Sequence, residues 1–470
     1  MAENAAVVIK GATIVSMDAE MGTVVGDVLI RDGSISAVGS VDEATTRDAE
    51  RVDARGMILI PGLVDCHRHV WQLPLRSVTA NWSLMDYVIG IRTTAADAYR
   101  PEDLYIAQLA GALDALSCGV TTVADYSHNI LSPAHGAAAL RGLSESGIRA
   151  WWGAGFNVPP GSADRYGSNA DRAARLVDLA AAAADHPLIT MGICPEEFGI
   201  ARPVDVPDQY EFARSNGLRI MHHVNSTAGG HEVGNHLGPR GLLGPDVLLV
   251  HMNFSTDEEW ETVAASGASV VFTPETELQM GMGMSSTEKV RSAGMAPTIG
   301  TDIVSNNNGD MFFAARLALQ VERALANEAR IASGEMFSGT TVAAGDALAW
   351  ITVNGARACG LEATVGRIAV GMAADLVLLD GTDISMSGWT GADAAGHVVL
   401  QGHPGVVDSV MVGGTWRKRS GRLTHDLEQV RGLVTDTAQY LRQSIDDAGG
   451  FLNAQSFEAI ANQLAIIEGE

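Results

Sequence analysis

The chain reads as a (β/α)8 TIM barrel with a small composite β-sandwich domain formed by both chain ends. Three observations predict this. Eight apolar runs alternate with Ala- and Leu-rich helical segments in the middle, short β-type runs cluster at both ends, and histidines recur where the central runs stop. Near-continuous apolar strands joined by helices suit a parallel sheet covered on its outer side, and eight such units over about 300 residues suit a closed barrel. A doubly wound open sheet lacks support, because no run leads into a GxGxxG turn.

In chain order, residues 1–56 give Val7-Val8-Ile9, Thr13-Ile14-Val15, Val28-Leu29-Ile30 and Ser34-Ile35-Ser36-Ala37-Val38, short strands with turn residues between them. Residues 362–425 repeat this texture, with Leu376-Val377-Leu378-Leu379 and Val407 to Val412. Neither stretch offers much core alone, so the two are expected to pack as one β-domain. The barrel then spans 57–361, with strands at 57–66, 120–126, 149–156, 188–195, 218–224, 247–253, 269–273 and 297–302. Helices fall at 102–117, 136–146, 171–184, 207–215, 256–266, 287–293 and 311–326. In the tail, 426–470, Val430, Leu433, Val434, Ala438 and Leu441 keep a helical period that Gly449-Gly450 breaks. Two terminal helices follow, packed on the barrel or on a second subunit.

Composition bounds the function. A chain of 470 residues, 46% hydrophobic but only 5% aromatic, describes an aliphatic globular enzyme. A formal charge of −25 argues against nucleic acid as a partner, since phosphate binding needs clustered Lys and Arg. The four cysteines form no CxxC pair, so neither a disulfide framework nor a thiolate zinc site is expected, and the compartment reads as cytoplasmic. The N-terminus lacks the basic and apolar regions of a leader, and no stretch is apolar for long enough to span a bilayer. The expected partners are a small-molecule substrate and further copies of the chain, as a dimer or tetramer.

The first barrel strand runs into Pro61-Gly62-Leu63-Val64-Asp65-Cys66-His67-Arg68-His69. Side chains two apart in a strand share a face, about 6–7 Å apart at the backbone, a spacing able to grip one ion. The fifth strand ends in His222-His223, the sixth in His251 and the eighth in Asp302. All sit at the carboxyl ends of strands, the face on which barrel active sites are built. Imidazoles with one carboxylate and an open position make a hydrolytic metal centre, in which the ion acidifies water. Asp302 can then accept a proton, and His251 can stabilise an oxyanion or serve as a further ligand. His135, His231 and His236 read as loop or surface histidines. The only lysines are Lys10, Lys289 and Lys418, none in a barrel strand, so a lysine-bridged pair of ions is excluded on this strand assignment and one ion is favoured.

These stretches, with Met221-His222-His223-Val224-Asn225, Leu249-Val250-His251-Met252-Asn253, Thr298 to Phe312 and Val365 to Asp380, resemble the amidohydrolase superfamily, in its cytosine/guanine-deaminase-like and triazine-hydrolase-like branch. The resemblance covers nearly the whole length. It implies that His67, His69, His223 and Asp302 hold one divalent transition metal, zinc in the first place and iron(II) as the alternative, with His223 rather than His222 as the fifth-strand ligand. It also implies that His251 stands close to the water and substrate.

One departure from that pattern concerns the leaving group. Deaminase-like members carry a glutamate three residues after the fifth-strand histidine, and here that position is Ser226. Serine does not shuttle protons at neutral pH. Glu232, Glu275 and Glu277 are the nearby carboxylates that could substitute. For substrate contact the expected residues are Trp71 and Gln72 after the first strand, His128 after the second and Glu277 after the seventh, with Met280, Met282 and Met284 as an adaptable wall. Trp82 and Tyr87 lie in a segment read as a lid or a subunit contact.

The sequence thus predicts a metal-dependent hydrolase that attacks a non-peptide C–N bond of a small cyclic or aromatic substrate with a metal-activated water. A deaminase or dehalogenase of a triazine- or guanine-type heterocycle is the first alternative. A non-hydrolytic metal lyase or a ligand-binding barrel is the second.

Overall fold

The computed structural model describes residues 6–159, 163–198, 205–284, 287–336 and 338–469. Residues 1–5 and 470, expected at the edges of the β-domain and the tail, lie outside the described residues.

One sheet has eight strands in chain order: Leu63–Arg68, Val120–Ser127, Arg149–Gly155, Ile189–Cys194, Arg219–Val224, Val247–His251, Ser269–Phe272 and Thr298–Ile299, the first to eighth barrel strands. Every ladder between neighbours is parallel. The sheet closes where Asp302, just past the eighth strand, bridges to Arg68 of the first. At this seam the Asp302 amide donates to the His67 carbonyl and the His69 amide donates to the Asp302 carbonyl, each at 2.8 Å. The approach is close: a Cβ on Gly300 would lie 2.6 Å from His67 O and 2.7 Å from His67 N, so no larger residue fits there.

Helices cover the outside. Asn169–Ala183 begins at a capping box between Ser168 and Asp171 and buries Leu176, Leu179 and Ala183 at helical spacing. Asp257–Ser266 begins at the Thr256–Glu259 box and stops at Gly267, whose φ of 78° is the left-handed value that favours glycine. Pro101–Ser117, Pro133–Ser146, Asp205–Ser215, Thr287–Ser292 and Met311–Ala332 complete the crossovers the periodicity predicts. After the fifth strand the chain uses only the short turn Val233–Leu237.

The apolar run at 57–66, expected to be one barrel strand, is two strands in two sheets. Ile58–Pro61 pairs in parallel with Val7–Val15 and antiparallel with Leu376–Leu379, and only from Leu63 does the chain enter the barrel. The switch occurs at Gly62, where any Cβ would overlap the Thr121 side chain. The eighth strand is likewise shorter than the predicted 297–302.

The second sheet has nine strands, taken from both chain ends and from Ile58–Pro61. Its core joins Ile9, Ile14, Ile30 and Leu59 to Leu376 and Met411, each worth about 1.5–3 kcal/mol when fully buried. Arg149, at the start of the third barrel strand, makes paired bonds of 2.9 and 3.0 Å to buried Asp375, beside the other sheet. Losing either partner would strand a buried charge, at about 3–5 kcal/mol.

Beyond the first strand, Leu84–Tyr87 and the π-helical turn Val88–Ala95 fold over the barrel mouth. The tail helices Leu427–Asp447 and Ala454–Gly469 pack against this region. Thr94 Oγ1 lies 2.7 Å from Ser456 Oγ and donates to the Phe451 carbonyl at 2.8 Å, so the second tail helix is latched to the mouth. Among the described residues no helix is long and apolar enough to cross a membrane.

Candidate metal centre

At the carboxyl ends of the strands four donor atoms converge. Asp302 Oδ1 lies 3.2 Å from His67 Nε2 and 3.3 Å from His69 Nε2, and His223 Nε2 lies 3.2 Å from His67 Nε2. With Zn–N and Zn–O bonds of about 2.0–2.1 Å, the edge of a tetrahedron is about 3.3–3.4 Å. These three separations match that edge, and His67, His69 and Asp302 form one of the close donor groups.

The opposite ring nitrogens are anchored, which directs Nε2 toward that point. His69 Nδ1 donates to the Tyr126 carbonyl at 2.8 Å, and His223 Nδ1 pairs with Glu197 Oε1 at 2.9 Å. His67 Nδ1 rests 3.3 Å from Met221 Sδ. Burial holds His67 at a pKa of about 4 and His223 well below the ordinary imidazole value. Both are neutral at pH 7, the form that ligates a metal. Burial pushes Asp302 up, but its bonds to His67 and His69 outweigh this and hold its carboxyl well below the usual range.

His251 stands one step back. Its ligating nitrogen falls within 4.8 Å of those of His67 and His223, and its ring stacks on His223 with centroids 5.3 Å apart. Glu277 Oε1, 3.2 Å from His251 Nδ1, and Thr273 Oγ1, at 3.3 Å, set the ring orientation. His251 and Asp302 have φ of 80° and 63°, left-handed values that cost non-glycine residues about 1–3 kcal/mol each and cluster at functional sites.

A cavity of about 340 Å³ opens over these groups. Leu84, Val88, Phe198, Met280, Met282 and Ile460 give it apolar walls, and His69, His223, His251, Asp302, Ser226 and Glu232 also line it. Ile460 comes from the second tail helix and Tyr87 from the mouth segment, so both regions form part of the chamber.

The structure brings His67, His69, His223, His251 and Asp302 together. It places His222 on the other side of the fifth strand, where Nδ1 lies 2.9 Å from Tyr210 Oη and the ring stacks on Phe198. The four expected substrate contacts are not on the cavity wall, and each has a packing reason. Trp71 is wholly buried against Tyr99. Gln72 spends its amide on Tyr87 Oη and Ser305 Oγ, at 2.6 and 3.0 Å. His128 is buried and stacked on His69. Glu277 lies behind His251 and accepts from the Thr273 amide at 2.9 Å.

Two functional residues escaped the sequence reading. Glu197 follows the fourth strand, and Arg92 grips both of its oxygens, at 3.1 and 3.0 Å. Burial raises Glu197, but Arg92, His128 with Nε2 3.6 Å away and the hydrogen bond with His223 hold it well below the ordinary carboxyl value. The signal was available in Pro195-Glu196-Glu197, a carboxylate pair at the carboxyl end of a predicted barrel strand.

Comparison with known proteins agrees with this architecture. The amidohydrolase family pattern matches residues 58–417. The 5'-deoxyadenosine deaminase of Methanosarcina barkeri is 28% identical over 394 residues, covering 80% of this chain and 84% of its own. The 5-methylthioadenosine/S-adenosylhomocysteine deaminase of Acetivibrio thermocellus is 27% identical over 449 residues, 92% of this chain and 99% of its own. Among solved structures, an adenosine deaminase from Xanthomonas campestris with bound zinc superposes with a TM-score of 0.81 at 24% identity, over 93% of this chain and 98% of that one. Atrazine chlorohydrolase TrzN from Arthrobacter aurescens, complexed with zinc, gives 0.78 at 20% identity, over 92% and 100%. With its closed barrel, paired-end sheet and family match across most of its length, the chain belongs to the amidohydrolase family and is a hydrolase of carbon–nitrogen bonds other than peptide bonds.

Proposed function

We propose that the protein hydrolyses an exocyclic C–N bond of a small heteroaromatic amine, using one divalent metal held by His67, His69, His223 and Asp302. The observation that carries this reading is the set of donor separations, 3.2–3.3 Å, among residues of which His69, His223 and Asp302 border a largely apolar cavity. When bound, such an ion lowers the pKa of water toward neutrality and polarises the atom under attack. Asp302 accepts a water proton. His251, steadied by Glu277, offers Nε2 to the developing oxyanion or to a proton in transit. The apolar walls hold the flat ring and exclude bulk water.

The relatives named as deaminases of adenosine derivatives support a 6-aminopurine nucleoside as the first class to try, and the zinc in two similar structures supports zinc over iron(II). The same reading takes the protein as a cytoplasmic homo-oligomer, consistent with four free cysteines. The test is release of ammonia from 5'-deoxyadenosine, 5'-methylthioadenosine, guanine, cytosine and amino-s-triazines. Ammonia from any member supports deamination. A second reading, dehalogenation, is favoured by Ser226, because a halide leaves without a proton. Chloride release from chloro-s-triazines with no ammonia from the amines would establish it. Binding of the panel by metal-loaded protein without turnover would favour a ligand-binding barrel.

A further inference from the structure

We propose that Glu232 delivers the proton to the leaving nitrogen, the task for which Ser226 carries no ionisable group; this rests on the deamination reading above. Deamination adds water across a ring carbon and breaks the C–N bond. One water proton must reach the amino nitrogen, which leaves as ammonia, while the oxygen stays on the ring. A carboxylate that receives the proton and passes it on ends each cycle unchanged.

Among the described residues three carboxylates face the cavity: Asp302, Glu197 and Glu232. Asp302 is engaged by His67 and His69. Glu197 is held by Arg92 on both oxygens and by His223 on Oε1, so protonating it would break a buried ion pair. Glu277 is behind His251, and Glu275 is not on the wall.

Glu232 is placed differently. Its Oε2 accepts from the Asn225 amide at 2.5 Å, which fastens the carboxylate to the end of the fifth strand, next to Ser226. The chain reaches that point through a fold-back, with the Gly230 amide on the Thr227 carbonyl at 2.9 Å. Asn225 clamps both ends of the loop: its amide group donates to Ser255 and Glu259, and its Oδ1 accepts from the Val233 amide at 3.3 Å. Asn225 itself takes a φ of 49°, a value asparagine tolerates. The carboxylate missing from position 226 is thus returned to the same strand end from six residues further along the chain.

The experiment compares wild type, Glu232→Gln and the double variant Glu232→Gln/Ser226→Glu on the panel compounds that wild type deaminates, with metal content and melting temperature recorded for each. The expected result is a kcat for Glu232→Gln lower by about 100-fold or more, with KM within about threefold, metal and melting unchanged, and at least tenfold recovery in the double variant. A kcat within threefold of wild type overturns the proposal. So does a loss that accompanies lost metal, or one that Ser226→Glu fails to recover, since either marks Glu232 as a brace for the loop. If wild type itself releases no ammonia, the deamination reading fails and this proposal falls with it.

Discussion

Asp302 closes the barrel with its backbone and sets its side chain among the candidate metal ligands, both against the His67–His69 pair. Its amide and carbonyl bond to His67 and His69 at 2.8 Å, and its Oδ1 lies 3.2–3.3 Å from the two Nε2 atoms. The strand seam and the ligand set are one structure, so errors in the first misplace the second.

That double role separates two substitutions. Asp302→Asn keeps the backbone clasp and tolerates the φ of 63°, so it should fold like wild type while losing most bound metal. Asp302→Ala should lose the metal and, in the metal-free state, be about 1 kcal/mol less stable than Asp302→Asn because of the left-handed backbone. Thermal melts of metal-free protein beside elemental analysis check both.

Gly300→Ala tests the seam while leaving every proposed ligand side chain in the sequence, although it presses on His67. Its Cβ would press on His67 backbone atoms at 2.6 and 2.7 Å, and rigid backbone cannot yield cheaply. A stability loss of about 1–3 kcal/mol is expected, with weaker metal retention, read from denaturant melts and metal content.

Arg92 and Glu197 should behave as a buried pair. Arg92→Met leaves Glu197 without its main counter-charge and should cost about 3–5 kcal/mol. Glu197→Gln in that background should recover part of the loss, while weakening metal affinity about 10- to 100-fold through its bond to His223. A double-mutant cycle on stability, paired with metal titration, separates the two effects.

Acid should destabilise the metal-free protein. Burial holds His222 at a pKa of about 4 in the folded chain, against about 6.5 when unfolded. The unfolded state therefore binds the proton first, and stability falls as pH drops from about 6.5 to about 4. His222→Gln, which can keep a bond to Tyr210, should flatten that decline by about 3 kcal/mol across the window. Denaturant melts at pH 7, 5.5 and 4 measure it.

Much of this was legible in the chain. Apolar runs alternating with Ala- and Leu-rich helical segments predicted the barrel, and the polar residues at the strand ends predicted which side chains meet at its mouth, because both are local patterns with a period. What failed was non-local. A run such as 57–64 looks alike whether it lies in one sheet or two; only the crowding of Gly62 against Thr121 makes the change of sheet visible. Trp71 and Gln72 follow the ligands in sequence but turn into the core, where Tyr99, Tyr87 and Ser305 use them. Ile460 reaches the cavity from the far end of the chain, a contact no spacing rule anticipates.

The central claim is one ion, held through His223 and not through its neighbour. Elemental analysis of wild type, His222→Gln and His223→Gln tests it directly. About one transition metal per chain in the first two, and little in the third, is the predicted result. Two tightly held ions, or loss in His222→Gln with retention in His223→Gln, would contradict it.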